Sequence, residues 1–320
     1  MLNSDAPVKF GIKCAQVLVT GGTGFIGQLL VRALIADGHK VIVLTRNPKR
    51  TATFFHHSVV CVDDMSELPT SAVIDVVINL AGARILGWRW SEARQAVLRA
   101  SRITLTESIV AWIAQAQHKP RLFLSASAIG YYGIQKQGDD SELTEESHSQ
   151  SIFMATLCRD WENSAQAATR HGVNVATMRF GLVLGKQGAL PMLLLPIKLG
   201  LGGTLGSGKQ WISWIHVQDL LRAIAHLWRL HLNNTPPQLL FHTYNFTAPE
   251  ALRQLDFSRV AAKVLHRPCF FPTPAWPMRL FLGHQADLLL EGQRVAPVKL
   301  LESGFEFLYP NTESALRSLV

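Results

Sequence analysis

Gly22, Gly24 and Gly27 occupy the spacing G-x-G-x-x-G, and Gly21, Gly24 and Gly27 the related G-x-x-G-x-x-G. Small residues at these intervals suit one task, holding the diphosphate of a dinucleotide. One glycine turns the chain, one lets the backbone approach the pyrophosphate, and one lets a helix pack closely on its strand. Gly21, Gly22, Thr23, Gly24, Phe25, Ile26 and Gly27 are therefore the candidate cradle. An ordinary glycine-rich turn shares the bare pattern, and the flanks separate the two. Val17-Leu18-Val19 suits a strand buried on both faces, and Leu29, Leu30, Ala33 and Leu34 recur at helical spacing. The glycines thus lie where a helix offers free N–H groups and its positive end to an anion.

A second cluster follows the next strand, Val41 to Thr45. In such a unit that strand's end faces the adenosine ribose, where an acid binds a 2′-hydroxyl and an arginine accommodates a 2′-phosphate. Here Thr45-Arg46-Asn47-Pro48-Lys49-Arg50 contains three cations and no acid, so Arg46 points to NADP(H). A solvated basic loop is the alternative. Asp63, after a short strand from Val59 to Val62, is a candidate partner for the adenine amino group or an exposed turn residue. Asn79-Leu80-Ala81-Gly82 ends the fourth strand in another small-residue turn able to line the same cofactor. Leu122 to Ser127 is a fifth strand that delivers Ser125 and Ser127 at its carboxyl end, the edge where open α/β sheets bind ligands.

These residues need a scaffold of alternating strands and helices. Trp90 to Gln117 reads as a long helix, Ile152 to Arg170 as another, and Val173 to Met178 as the sixth strand. The alternation predicts an α/β fold, a doubly wound Rossmann-type parallel sheet with a smaller C-terminal substrate lobe. Residues 1–14 form an extension, 15–178 the NADP-binding unit with elements from 210–248 packing back on it, 179–266 a glycine-punctuated substrate lobe, and 267–320 a C-terminal domain. Val217 to Leu230 reads as a helix, Asn233 to Pro237 as a linker, and Arg267 to Pro277 as extended proline-rich chain.

Composition sets the outer bounds. With 48% hydrophobic and 17% charged residues, the 320-residue chain has ample material for a core. The net charge of +8 could suggest nucleic acid or an acidic membrane surface, but it is scattered and has no basic–aromatic motif, so it argues for a basic enzyme handling phosphorylated ligands. Cys14, Cys61, Cys158 and Cys269 form no C-x-x-C pair, which excludes the usual zinc spacing and suits a reducing compartment. Residues 1–13 lack a signal peptide's apolar core, and Leu190 to Leu205 is too interrupted to span a bilayer. The expectation is a cytoplasmic protein with no membrane partner and no metal, acting on a small molecule, with homo-oligomerisation left open.

Taken together, these segments resemble the extended short-chain dehydrogenase/reductases, the superfamily of nucleotide-sugar epimerases and dehydratases. The resemblance rests on the glycine turn, Asn79 to Gly82, Arg179 to Gly185, Trp214 to Leu220 and Tyr244 to Phe246, in order. Ser125 to Gly133, Cys158 to Glu162 and Gly206 to Trp211 resemble a branch called the epimerase family, whose members carry a C-terminal domain of unknown function. The resemblance implies hydride transfer with NADP(H), with Asn79, Leu80, Ala81, Gly82 and Ser125 on the nicotinamide side.

The chain departs from that family at its catalytic pair. Members place Y-x-x-x-K on the helix after the fifth strand, where the lysine lowers the tyrosine pKa and proton transfer accompanies hydride transfer. The helix from Ile152 to Arg170 has neither residue; Met154 and Cys158 hold their places. Tyr132 and Lys136 match the spacing but lie in a glycine-flanked loop, a decoy. Ser127 then remains as a hydrogen-bonding catalyst, with Tyr131 and Tyr132 as replacement acids, or all three are structural. Arg179 is a candidate for a substrate phosphate or carboxylate, or for an ion pair; Trp211 could wall the substrate pocket or pack. Cys158 reads as a buried thiol, Glu162 as helix surface or a structural acceptor, and His216 as a cap or packing residue. Two functions follow: an oxidoreductase or epimerase-like enzyme, or a cofactor-sensing or partner-binding protein that has lost catalysis. Some members of the family carry a cell-division-inhibitor label, which suits the second.

Overall fold

The computed structural model describes residues 7–11, 14–85, 90–233, 240–276, 280 and 290–320. The expected linker at 234–237, residues 1–6, 12 and 13 of the extension, and Pro277 lie outside them. Seven parallel strands form the central sheet: β1 (Gln16–Thr20), β2 (Lys40–Leu44), β3 (Val60–Val62), β4 (Val76–Asn79), β5 (Leu122–Ala128), β6 (Asn174–Phe180) and β10 (Phe241–Phe246), in the order β10-β6-β5-β4-β1-β2-β3. The chain leaves β1 toward β2 and β3, then returns to β4 on β1's other side. That reversal opens a crevice beyond the carboxyl ends of β1 and β4.

Alternate strand residues feed opposite faces. Val17, Val19, Val76, Ile78, Leu122 and Leu124 join one core with α1 (Phe25–Ala36) and α7 (Val217–Asn233). Leu18, Val77 and Phe123 join the other with α4 (Leu105–Gln115) and α5 (Phe153–Gln166). This period of two with both faces buried explains why the strands read as continuous apolar runs. The seventh strand enters from beyond residue 210 and pairs with β6, Asn245 opposite Arg179.

The helix expected over Trp90 to Gln117 is three pieces. Ser91 caps α3 (Glu92–Arg99), a π-turn spans Ala100–Thr104, and α4 continues to Gln115. α2 (Pro48–Phe54), capped by Asn47, connects β2 to β3. Beyond the sheet, β7 (Leu182–Leu184) pairs with β9 (Trp214–His216), and β8 (Trp211–Ile212) with β11 (Leu252–Arg253). The second core lies between α6 (Leu190–Lys198) and α8 (Gln254–Leu265), and α10 (Thr312–Leu319) closes it with Leu316. Short α9 (Val298–Glu302) packs by β10. Among the described residues, no helix is long and apolar enough to cross a membrane.

Candidate active site

The glycine turn joins β1 to α1 at the crevice. Gly21 has φ 69°, a conformation that favours glycine, and a Cβ there would press on the Leu80 carbonyl at 2.8 Å. At Gly27 a Cβ would overlap the Gly21 carbonyl oxygen, so helix and strand meet at that closeness only without a side chain. Gly24 caps α1 with no side-chain hydrogen bond, and the first turn carries no acid. The helix thus presents an uncapped positive end, flanked by exposed Thr23 and Gly24, which fits a diphosphate. The Phe25 ring lies against Gly185 and Gly188, and Gln28 donates to Gln187 at 2.7 Å, so the loop before α6 borders the turn.

Arg46 is exposed just past β2, with Lys49 and Arg50 exposed on α2. Asp63 is exposed past β3, and its backbone N–H donates to Glu67 at 3.4 Å. Leu80 and Ala81 are half-buried and Gly82 is exposed at the crevice.

The side chains of Asn79 and Ser125 turn inward into a buried hydrogen-bonded group. Asn79 Oδ1 accepts from Thr20 at 2.6 Å, and its Nδ2 donates to Thr106 at 2.8 Å and Ser125 at 3.2 Å. Thr20 also accepts from the Ala81 N–H at 3.2 Å. All four side chains are fully buried, and three strand ends converge there with polar groups that must be satisfied. They shape the crevice by fixing its backbone.

A second polar group occupies the ends of β5 and β6. Ser127 donates to Glu162 Oε1 at 2.6 Å, and Arg179 meets both Glu162 oxygens at 2.8 Å, Nε to Oε1 and NH2 to Oε2. Burial alone would lower the Arg179 pKa; the hydrogen bonds and charge of Glu162 outweigh it and raise it. Arg179 therefore pairs with Glu162 in the interior, the ion pair that is one of its two readings. Glu162 is likewise buried and not helix surface. Tyr132 donates to Asn245 Oδ1 at 2.6 Å and accepts from Arg179 at 3.0 Å, and burial pushes its hydroxyl up to about 12. The proton of that hydroxyl and one of its lone pairs are thus engaged within the protein. Tyr131 is half-buried, its ring centre 3.4 Å from the Arg179 guanidinium carbon, and its hydroxyl has no protein partner among the described residues.

Met154 and Cys158 are buried under the short helical turn Ile129–Tyr132; a Cβ on Gly130 would lie 3.5 Å from Met154 and 3.8 Å from Cys158. Burial pushes the Cys158 thiol up to about 12, so it is inert at neutral pH. Tyr132 sits in that turn and Lys136 in the following loop, so the spacing match is no helical pair. Trp211 is clamped between Arg253 at 3.7 Å and Arg294 at 5.2 Å, and its indole N–H donates to the Asp139 carbonyl at 3.4 Å. His216 packs on Tyr309, with ring centres 3.9 Å apart.

Residues 17–244 match the NAD dependent epimerase/dehydratase family. The chain belongs to that family. Residues 273–319 match a "Domain of unknown function (DUF1731)". The chain is 36% identical over 309 residues to "Epimerase family protein YfhF" of Bacillus subtilis, covering 95% of this chain and 98% of that one. It is 38% identical over 311 residues to the chloroplastic "Epimerase family protein SDR39U1 homolog" of Arabidopsis thaliana, covering 95% and 86%. Among solved structures it is similar to the human epimerase family protein SDR39U1 with NADPH: TM-score 0.81, 30% identity, 95% and 98% covered. A UDP-galactose 4-epimerase structure, at 21% identity and TM-score 0.69, shares the fold.

In this epimerase/dehydratase-family chain the C-terminal segment is threaded through the second polar group. Ser213 accepts from the Val295 N–H at 2.9 Å and donates to the Gln293 carbonyl at 2.8 Å; Asn245 donates to Ala296 at 2.9 Å; Gln293 donates to the Gly133 carbonyl. Glu145 accepts from the N–H groups of Asn245 at 2.9 Å and Lys299 at 3.3 Å, its Oε2 has no partner among the described residues, and burial raises its pKa. Sequence reasoning missed Glu145, one of several acids in a polar loop. It also missed Arg102, buried in the π-turn, which donates to the Ala83 carbonyl at 3.0 Å beside Gly82. A family motif names neither, and a π-turn leaves no mark in hydrophobic periodicity.

Proposed function

We propose that the protein binds NADP(H) at the Gly21–Gly27 turn and transfers hydride between it and a small-molecule substrate at the Ser127–Tyr131 edge. The observation that carries the cofactor reading is the uncapped, acid-free start of α1 beside exposed Arg46. The turn's N–H groups hold the diphosphate, Arg46 the 2′-phosphate, Asp63 the adenine amino group, and the backbone from Leu80 to Gly82 the nicotinamide side. NADPH in the human relative supports the same choice. When bound, the nicotinamide gives or takes the hydride.

The side chains near the second polar group do the rest. Ser127 gives its proton to Glu162, so its lone pairs are the groups left to receive a substrate hydroxyl. Arg179 fixes Glu162, and Tyr131, with its hydroxyl free, is the better proton donor of the two tyrosines. Trp211 and the lobe from 179 to 266 border the substrate. Four unpaired cysteines suit a reducing compartment such as the cytoplasm.

Titration with NADPH and NADH tests the cofactor. NADPH is expected to bind at least tenfold more tightly, and Arg46→Ala to remove most of that preference, as the loss of about 1.4 kcal/mol or more would. Equal affinities would refute it. A second reading, a cofactor-sensing protein without turnover, is favoured by the buried Met154 and Cys158. NADPH oxidation with a panel of carbonyl compounds that disappears in Ser127→Ala would exclude it; tight NADPH binding with no oxidation by any of them would favour it.

A further inference from the structure

Of fifteen large apolar side chains exposed among the described residues, eight fall in two stretches: four in 192–201 and four in 270–280. α6 turns Leu190, Leu194 and Ile197 into the second core and leaves Met192 73% and Leu195 56% exposed. The chain after it, with Leu199 66% exposed, runs parallel to residues 269–273. Phe271 N–H donates to Gly202 at 2.9 Å, Thr273 N–H to Thr204 at 2.7 Å, and Gly206 N–H to Thr273 at 2.8 Å. This pairing sets the chain of Phe270, 69% exposed, and Trp276, 67% exposed, against residues 200–206 just past α6, where Gly200 faces Pro268 and Gly206 faces Ala275. A strip of that kind marks a surface that is covered in use.

The charges of the strip have one sign. Residues 186–209 contain Lys186, Lys198 and Lys209 and no acid, and residues 266–276 contain His266 and Arg267 and no acid. Lys198 and Arg267 are exposed and pair with no carboxylate among the described residues. An isologous contact with a second copy would set these cations against themselves. An acidic lipid surface answers both features. Aromatic rings settle at the headgroup level, and lysine and arginine are drawn to anionic phosphates.

We propose that this strip docks the protein reversibly on an acidic bilayer, with Phe270, Phe271 and Trp276 entering the headgroup layer and Lys198 and Arg267 facing lipid phosphates. No span is involved; the attachment lies in the interface plane. It departs from the sequence-based expectation of no membrane partner, which treated the net charge as scattered. It rests on the strip alone and is independent of the reaction proposed above.

Flotation of the full chain with vesicles of phosphatidylcholine, with or without one-third phosphatidylglycerol, tests it. Binding to the acidic vesicles at low salt is expected to exceed that to neutral vesicles about tenfold and to collapse at high salt. Phe270→Asp with Trp276→Asp is expected to cut it about tenfold, and Lys198→Glu with Arg267→Glu to erase the preference for acidic lipid. Unchanged melting and NADPH affinity in both variants would show that the fold is intact. Absence of flotation, or flotation indifferent to lipid charge or to these substitutions, overturns the proposal. So does a wild-type dimer that Phe270→Asp with Trp276→Asp converts to monomer without any vesicle binding.

Discussion

Glu162 has the most to lose among single residues. Its carboxylate is buried and serves Ser127 and Arg179 together, so removing it leaves a buried guanidinium without a counter-charge. Breaking such a pair costs about 3–5 kcal/mol, whereas replacing both partners with apolar residues of similar volume is far milder. Glu162→Gln is therefore expected to lower the urea midpoint more than Glu162→Leu combined with Arg179→Met, and equilibrium unfolding measures the difference. Arg179→Lys should resemble the single loss, because a lysine cannot reach both oxygens as a fork does. If Glu162 only holds the fold, any turnover found should fall in step with stability. A role in orienting Ser127 predicts a drop in kcat in variants still folded at the assay temperature.

At the scale of elements, the β1–α1 turn and α7 make different demands. Gly27→Ala would drive a methyl into the Gly21 carbonyl, so the turn must open or α1 must shift. The expected result is a loss of NADPH affinity of at least about tenfold together with destabilisation of about 1–3 kcal/mol, read by titration and thermal melting. Two buried histidines flank or end α7: His216 closes β9 just before it, and His231 lies in its last turn. Burial pushes His216, just before the helix, down to about 4, and pushes His231 down to about 4 with help from His242 and His226. The unfolded chain takes up these protons near the ordinary value of about 6.5, while the native state refuses them until about 4. Their contribution is thus fully present above about pH 6.5 and is lost as pH falls toward 4, by at most roughly 3 kcal/mol each. Asp219 and Glu145, whose carboxyls burial raises, pull the other way. Thermal melts of His216→Gln and His231→Gln across pH 4 to 6.5 should therefore show a shallower slope than wild type.

For the whole molecule, the C-terminal segment is structural fabric and not an appendage. Asp219 on α7 is buried and accepts from the N–H groups of Leu308 and Tyr309, each at 2.8 Å. Val295, Ala296 and Lys299 bond Ser213, Asn245 and Glu145. Ending the chain at residue 266 would strand these polar groups and uncover the second core around Leu316. The shortened chain is expected to lose its cooperative melt and to be cleaved rapidly by trypsin. A cooperative melt with NADPH affinity unchanged would show instead that residues 15–266 fold alone.

The sequence by itself determined the sheet, the glycine turn and the family. Buried parallel strands need unbroken apolar runs, and a β–α junction against a diphosphate needs glycine at fixed intervals, so the demand is local and written in consecutive residues. It also located Arg46, because the end of β2 is fixed relative to the turn. It could not say which way Asn79, Ser125 and Arg179 point. Those directions are set by Thr20, Thr106 and Glu162, which lie between 17 and 59 residues away and meet them only across the folded sheet. The same holds for Glu145 and the C-terminal strap, where each buried polar group is satisfied by a partner from a distant part of the chain.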